Sequence, residues 1–236
     1  MEIRGERECR DCGHRWSYFE TGEIECPDCG SLRSVGTGSR ARHTDGHEDL
    51  ELTDLVAQVD ERPLSALADE IGERCRSYLA TRGFIRGGQL RALDDAYLVA
   101  AELREAADLY SRLRDPTDPE ELYVVSLLRA ADTGERPATD EVPRRLREAR
   151  GLAAAAAVSE YRSEIRTLYD DVEPETVTVL STLRDRAKRV EALDGDVDPA
   201  HADGLVAAAR ELGRALITDD ESAVAAARER LAETDE

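Results

Sequence analysis

Two short cysteine pairs constrain this chain more than any other feature: Cys9-Arg10-Asp11-Cys12-Gly13 and, after a loop of 13 residues, Cys26-Pro27-Asp28-Cys29-Gly30. Two Cys-x-x-Cys turns of this shape offer four thiolates to one ion in a closed tetrahedral set, which Zn²⁺ favours. The x-x spacing lets backbone N–H groups turn toward sulfur, and the glycine after each second cysteine permits the positive φ that such a turn needs. A unit of about forty residues buries too little apolar area to fold alone, so the ion must supply the difference, on the order of 10 kcal/mol for sites of this kind.

The same segment holds the only tryptophan, Trp16, which is expected with Tyr18 and Phe19 on a strand after the first pair, Ile24 returning through Gly22. A short β hairpin then carries the aromatics beside the ion. Four of the five cysteines lie in the two pairs, which points to a reduced interior and a metal rather than to disulfides. The fifth, Cys75, shares a helical face with Leu64, Leu67, Ile71, Tyr78 and Leu79 and reads as a small buried apolar residue.

Residues 1–36 therefore read as a four-cysteine zinc ribbon. Residues 37–48 lack apolar periodicity and read as a flexible linker, with His43 and His47 flanking Asp45-Gly46 and forming no second metal site. Residues 49–236 read as an all-α helical bundle, so the expected fold class is mainly α behind a small ribbon. Its clearest stripe is Leu90, Leu93, Tyr97, Ala100, Leu103, Ala107, Tyr110 and Leu113, opposite a wet face of Arg91, Asp94, Asp95, Glu102, Glu105, Asp108 and Arg112.

Helices are expected near 50–59, 63–82, 89–114, 119–132, 143–170, 174–193, 199–217 and 220–233. Pro119, Pro143, Pro174 and Pro199 mark their starts, and Gly83, Gly134 and Gly195 their stops. Arg86-Gly87-Gly88 reads as a turn between two helices. Ala-rich stretches at 153–157, 207–209 and 225–227 suggest close antiparallel packing.

Charge narrows the function. The chain carries 32 basic and 52 acidic side chains, a net −20, with Lys188 as its single lysine. Such a surface suits an extremely salty cytoplasm, where the Debye length falls to about 3 Å at 1 M, and it repels nucleic acid and anionic membrane. The charged start and a longest apolar run of seven residues, Leu152 to Val158, give no expectation of secretion or membrane spanning; a cytoplasmic protein is expected.

The N-terminal motif resembles the zinc ribbon at the start of the transcription initiation factor TFIIB. A longer set of segments, Arg4 to Cys9, Trp16-Ser17-Tyr18, Ser31 to Gly36 and Leu113 to Asp118, resembles a haloarchaeal family described as TFIIB-type zinc-ribbon-containing proteins. That resemblance implies the fold and the metal and no activity. After Leu50 nothing suggests the paired cyclin-like repeats of the initiation factor.

Residues 1–43 hold seven arginines against eight acids, which makes the ribbon the least acidic region. Arg4, Arg7, Arg10, Arg15 and Arg33, joined by Arg40 and Arg42, are candidate contacts for phosphate or for a partner, with Trp16 or Tyr18 available for stacking. The favoured expectation is a non-enzymatic adaptor docking its ribbon on a protein partner, with direct nucleic-acid binding as the alternative. A rubredoxin-like iron site is a further alternative. A di-iron bundle is not, since no histidine completes a Glu-x-x-His motif. Neither a nucleophile with a nearby base nor a Gly-rich phosphate loop is found, so no small-molecule substrate and no catalysis are expected.

Overall fold

In a computed structural model that describes residues 1–233, the chain is mainly helical behind a small N-terminal strand hairpin bearing the cysteines. Strand β1 (Glu2–Cys9) pairs antiparallel with β2 (Arg15–Ser17), placing Arg7 opposite Trp16. On its other side β1 pairs antiparallel with β3 (Ser34–Arg42), completing a sheet of order β2-β1-β3 with a register shift between Arg4 and Glu6.

Two sequence expectations for this region change. Tyr18 and Phe19 leave the strand for one helical turn, α1 (Tyr18–Thr21), closed by Gly22 at φ 69°. The turn lets Phe19 fold back over β1 at Gly5, where a Cβ would stand 2.1 Å from the ring. The returning strand is β3 rather than the Ile24 segment.

The expected linker is also ordered. Residues 37–42 continue β3 across the boundary drawn at residue 36, and the residues after them are held by the bundle. Thr44 N–H donates to the Ile85 carbonyl (2.8 Å) and Gly46 N–H to that of Thr81 (2.9 Å), and Asp45 bridges to Arg82. Thr44 Oγ1 donates to Glu164 (2.9 Å), 120 residues away in sequence. The polar groups that suggested a solvated tether are satisfied by distant partners instead, which an apolar-periodicity reading does not register.

Helices α2 (Thr53–Gln58), α3 (Leu64–Thr81), α4 (Asp95–Arg112) and α5 (Asp118–Thr133) enclose one core around Leu52, Leu67, Ile71, Leu103 and Leu128. Cys75 is buried there, and burial pushes its thiol up to about 12. Helices α6 (Arg147–Leu168), α7 (Pro174–Ala192), α8 (Pro199–Thr218) and α9 (Glu221–Glu233) enclose a second, alanine-rich core around Phe84, Tyr97, Tyr161 and Leu183.

The helix expected from residue 89 begins only at Asp95, because residues 85–90 form a miniature hairpin of β4 (Ile85–Arg86) and β5 (Gln89–Leu90). Gly87 (φ 58°) and Gly88 (φ 84°) make its two-residue turn, the conformation that a primed hairpin turn requires. Asp94 then caps α4, accepting from the Tyr97 N–H at 2.8 Å. Pro143 likewise precedes a turn rather than starting α6, which begins at Arg147.

Glu102, expected on the wet face of α4, is fully buried. Its carboxylate accepts from the Tyr123 hydroxyl, from Arg150 (3.2 Å) and from Arg136 (2.8 Å). Both arginines also reach Asp203 on α8. Two acids and two guanidiniums balance, so α4, α6 and α8 meet through a satisfied polar network as well as through the apolar core they share.

Candidate metal centre

Cys9 ends β1, and Cys12 follows in the turn toward β2; Cys26 and Cys29 lie in the loop before β3. The two turns repeat one backbone pattern. Cys9 N–H donates to the His14 carbonyl (2.8 Å) and Gly13 N–H to the Cys9 carbonyl (3.1 Å); Cys26 N–H donates to the Ser31 carbonyl (3.0 Å) and Gly30 N–H to the Cys26 carbonyl (2.9 Å). Gly13 and Gly30 adopt φ 78° and 70°, as the spacing predicts.

The turns are joined through Asp11, which accepts from Ser31 Oγ (2.5 Å) and from Arg33 (2.8 Å). The Arg10 N–H donates to the Arg33 carbonyl (2.8 Å), closing the first turn onto the start of β3.

The four sulfurs lie within 4.8 Å of one another. Cys9 Sγ to Cys29 Sγ is 3.7 Å and Cys12 Sγ to Cys26 Sγ is 3.6 Å. A disulfide needs about 2.05 Å, whereas a tetrahedron of thiolates about 2.3 Å from a central ion has edges of about 3.8 Å. The spacing is that of a metal cage.

Protonation chemistry agrees with that fit. The N–H groups of Cys12 and Asp11 bring Cys9 down to about 6. At Cys12 the His14 N–H acts in the same direction, but burial and the three neighbouring sulfurs outweigh it and hold the thiol up at about 12. Four thiolates cannot share this space without a cation between them. The ribbon's buried apolar cluster is only Cys9, Trp16 and Cys26, so an ion held by the four cysteines would take the place of a core.

The other residues singled out from the sequence are not brought together as one surface. Trp16 is only 7% exposed, and its indole N–H donates to the Glu23 carbonyl (2.8 Å), so it offers no stacking face. Tyr18 is half-buried and set edge-on to His43 and His47, with ring centroids 5.9 and 6.2 Å away. Arg15 pairs with Glu8 and Arg33 with Asp11, while Arg7 turns to Ser34 Oγ (2.9 Å). Arg4 and Arg10 are exposed; Arg4 stands opposite Arg40 across the strands and donates to the Gly38 carbonyl.

Sequence reasoning missed three features. Leu32 (70% exposed) and Ile24 (52%) flank the second cysteine pair; two aliphatic residues beside a metal turn were the available signal. His43 is buried against Phe19, 5.0 Å between ring centroids, and Asp45 is fully buried between Arg82 and Arg86. Nothing local marks these two, because their partners lie well away in the chain.

Among the described residues no helix is long and apolar enough to cross a membrane. Comparisons with curated proteins and with solved structures give no match. A family of unknown function, DUF7117, matches residues 1–231, so one family description spans the cysteine ribbon and the helical bundle together, and the chain belongs to that family.

Proposed function

We propose that the bound ion is Zn²⁺ and that the protein is a non-enzymatic adaptor, its TFIIB-type ribbon docking on a protein partner of the transcription or translation machinery in a halophilic cytoplasm. One observation carries this reading: the ribbon tip presents Leu32 and Ile24 to solvent, 70% and 52% exposed, while Trp16 is buried at 7%. A nucleic-acid surface wants free aromatics and unpaired cations. This tip offers aliphatic side chains beside arginines that are already neutralised, as at Arg15–Glu8 and Arg33–Asp11, which suits the core and rim of a protein interface.

Zinc follows from the closed set of four soft donors, which leaves no open position for a substrate or a reactive water. The same set accepts iron, and a rubredoxin-like site is the competing assignment for the ion. Direct nucleic-acid binding draws support from the exposed Arg10 and from the exposed Arg4 opposite Arg40.

Elemental analysis of the purified protein is expected to give about one zinc per chain; iron with a red chromophore would replace zinc in this account. Pull-down from a high-salt lysate, with and without nuclease, tests the partner. Binding that survives nuclease and is lost in Ile24→Ser/Leu32→Ser supports docking on protein. Binding abolished by nuclease and indifferent to that double variant transfers the function to nucleic acid.

A further inference from the structure

The acidic surface is interrupted on the face shared by α6 and α7. Between 184 and 189, α7 carries Arg184, Arg186, Lys188 and Arg189 against the single acid Asp185, and α6 contributes Arg162 and Arg166 one helical turn apart. Arg162 is half-buried, and its Nε is buried without a hydrogen-bond partner. Arg162 and Arg166 make no ion pair among the described residues, whereas Arg184 is oriented by Asp185 (2.8 Å) and by Ser181 Oγ (3.3 Å).

Three guanidiniums beside one carboxylate are an unfavourable grouping in isolation. The Arg162 pKa is lowered by burial first, then by Arg166 and Arg184, with Asp185 opposing. Although the chain has 52 acidic side chains, the one carboxylate paired within this cluster among the described residues is Asp185, on Arg184. From the ribbon side, Arg42 reaches the carbonyl of Thr167 (3.3 Å), the residue after Arg166, bringing another cation to the same end of α6.

We propose that Arg162, Arg166 and Arg184 form a binding site for a phosphate group. With Asp185 counted, these side chains leave a surplus of two positive charges, which matches a dianionic phosphate better than a carboxylate. The planar forks supply donors in several directions, as a tetrahedral oxyanion requires. The site goes beyond the adaptor reading and is independent of the metal.

The test is thermal unfolding of the full, metal-loaded chain titrated with sodium phosphate against chloride at equal ionic strength. Arg162→Met keeps most of the aliphatic stem, Arg184→Met serves if that variant fails to fold, and Arg129→Gln, an exposed arginine on α5, removes the same charge elsewhere. Phosphate is expected to stabilise the wild type and Arg129→Gln alike, with the midpoint in Arg162→Met raised at least about tenfold. Without phosphate Arg162→Met is expected to be as stable as the wild type or more so, because the repulsion is relieved.

A parallel titration with a short single-stranded oligothymidylate separates the sources. Protection by inorganic phosphate identifies a free phosphate ligand; protection by the oligonucleotide alone identifies a phosphodiester backbone. Protection by neither, or protection undiminished in Arg162→Met and Arg184→Met, overturns the site.

Discussion

The ring of Phe19, carried by the ribbon, lies where a Cβ on Gly87 of the bundle would come within 2.8 Å of its Cδ2. Gly5 closes the ring's other side, its own absent Cβ falling 2.1 Å from Cε2. The ring is therefore clamped between two backbones that have no side chain to spare, and this clamp holds ribbon against bundle.

Gly5→Ala is expected to cost about 1–3 kcal/mol, the usual range for overpacking, because Phe19 cannot retreat while Gly87 is behind it. Urea denaturation of the metal-loaded protein measures the loss. If Phe19→Ala in the Gly5→Ala background fails to recover any stability, the clamp is not the cause.

Asp45→Ala is expected to destabilise by about 3–5 kcal/mol, since removing one partner of a buried pair strands the other charge. Here Arg86, with its side chain 29% exposed, loses its carboxylate partner, and Arg82, 14% exposed, is left with Asp94 alone. Replacing Asp45 should also loosen the ribbon, read as faster proteolysis between residues 37 and 48. A stability change below about 1 kcal/mol, the level of a surface pair, would refute the role.

Acid should weaken the same junction. His43 is held below its ordinary 6.5 by burial first, then by His47, Arg86 and the N-terminal amine. His47 is lowered by burial and by Arg86, with a Tyr18 backbone hydrogen bond and Glu23 opposing. The folded state therefore binds fewer protons than the unfolded chain. The contribution is complete above the ordinary value of 6.5 and is lost as pH falls from there through the depressed folded values. Melting temperatures from about pH 8 to about pH 5 should fall less steeply in His43→Phe than in the wild type at equal metal loading; parallel curves would exclude the histidines as the cause.

Removing the ion should unfold the ribbon selectively. A chelator, or Cys26→Ser, is expected to shift Trp16 emission to the red and to expose residues 1–36 to protease. Helical circular dichroism should largely persist, since both bundle cores are built without ribbon cysteines. Unchanged tryptophan emission after the ion has verifiably been stripped would sink the metal-dependent fold.

The two cysteine turns were legible because their chemistry is local: the paired cysteines sit three residues apart, and Gly13 and Gly30 supply the conformations in place. The helices were legible for a similar reason. Residues three and four apart share a face whatever surrounds them, and the expected starts at Pro119, Pro174 and Pro199 lie within a residue of the observed ones. The hairpin at 85–90 was not, because Leu90 continues the apolar stripe of α4 and the stripe masked the turn at Gly87-Gly88.

By itself, then, the sequence determined a four-thiolate ribbon, a helical remainder and an acidic surface, properties that depend on spacing along the chain or on composition. Only the tertiary structure decided that Glu102 is buried, that Trp16 faces inward and that residues 43–48 are docked. Burial of a polar group depends on partners brought from afar, such as Arg150 for Glu102 and Arg82 for Asp45, and a polar side chain is written the same way whether water or a guanidinium will satisfy it.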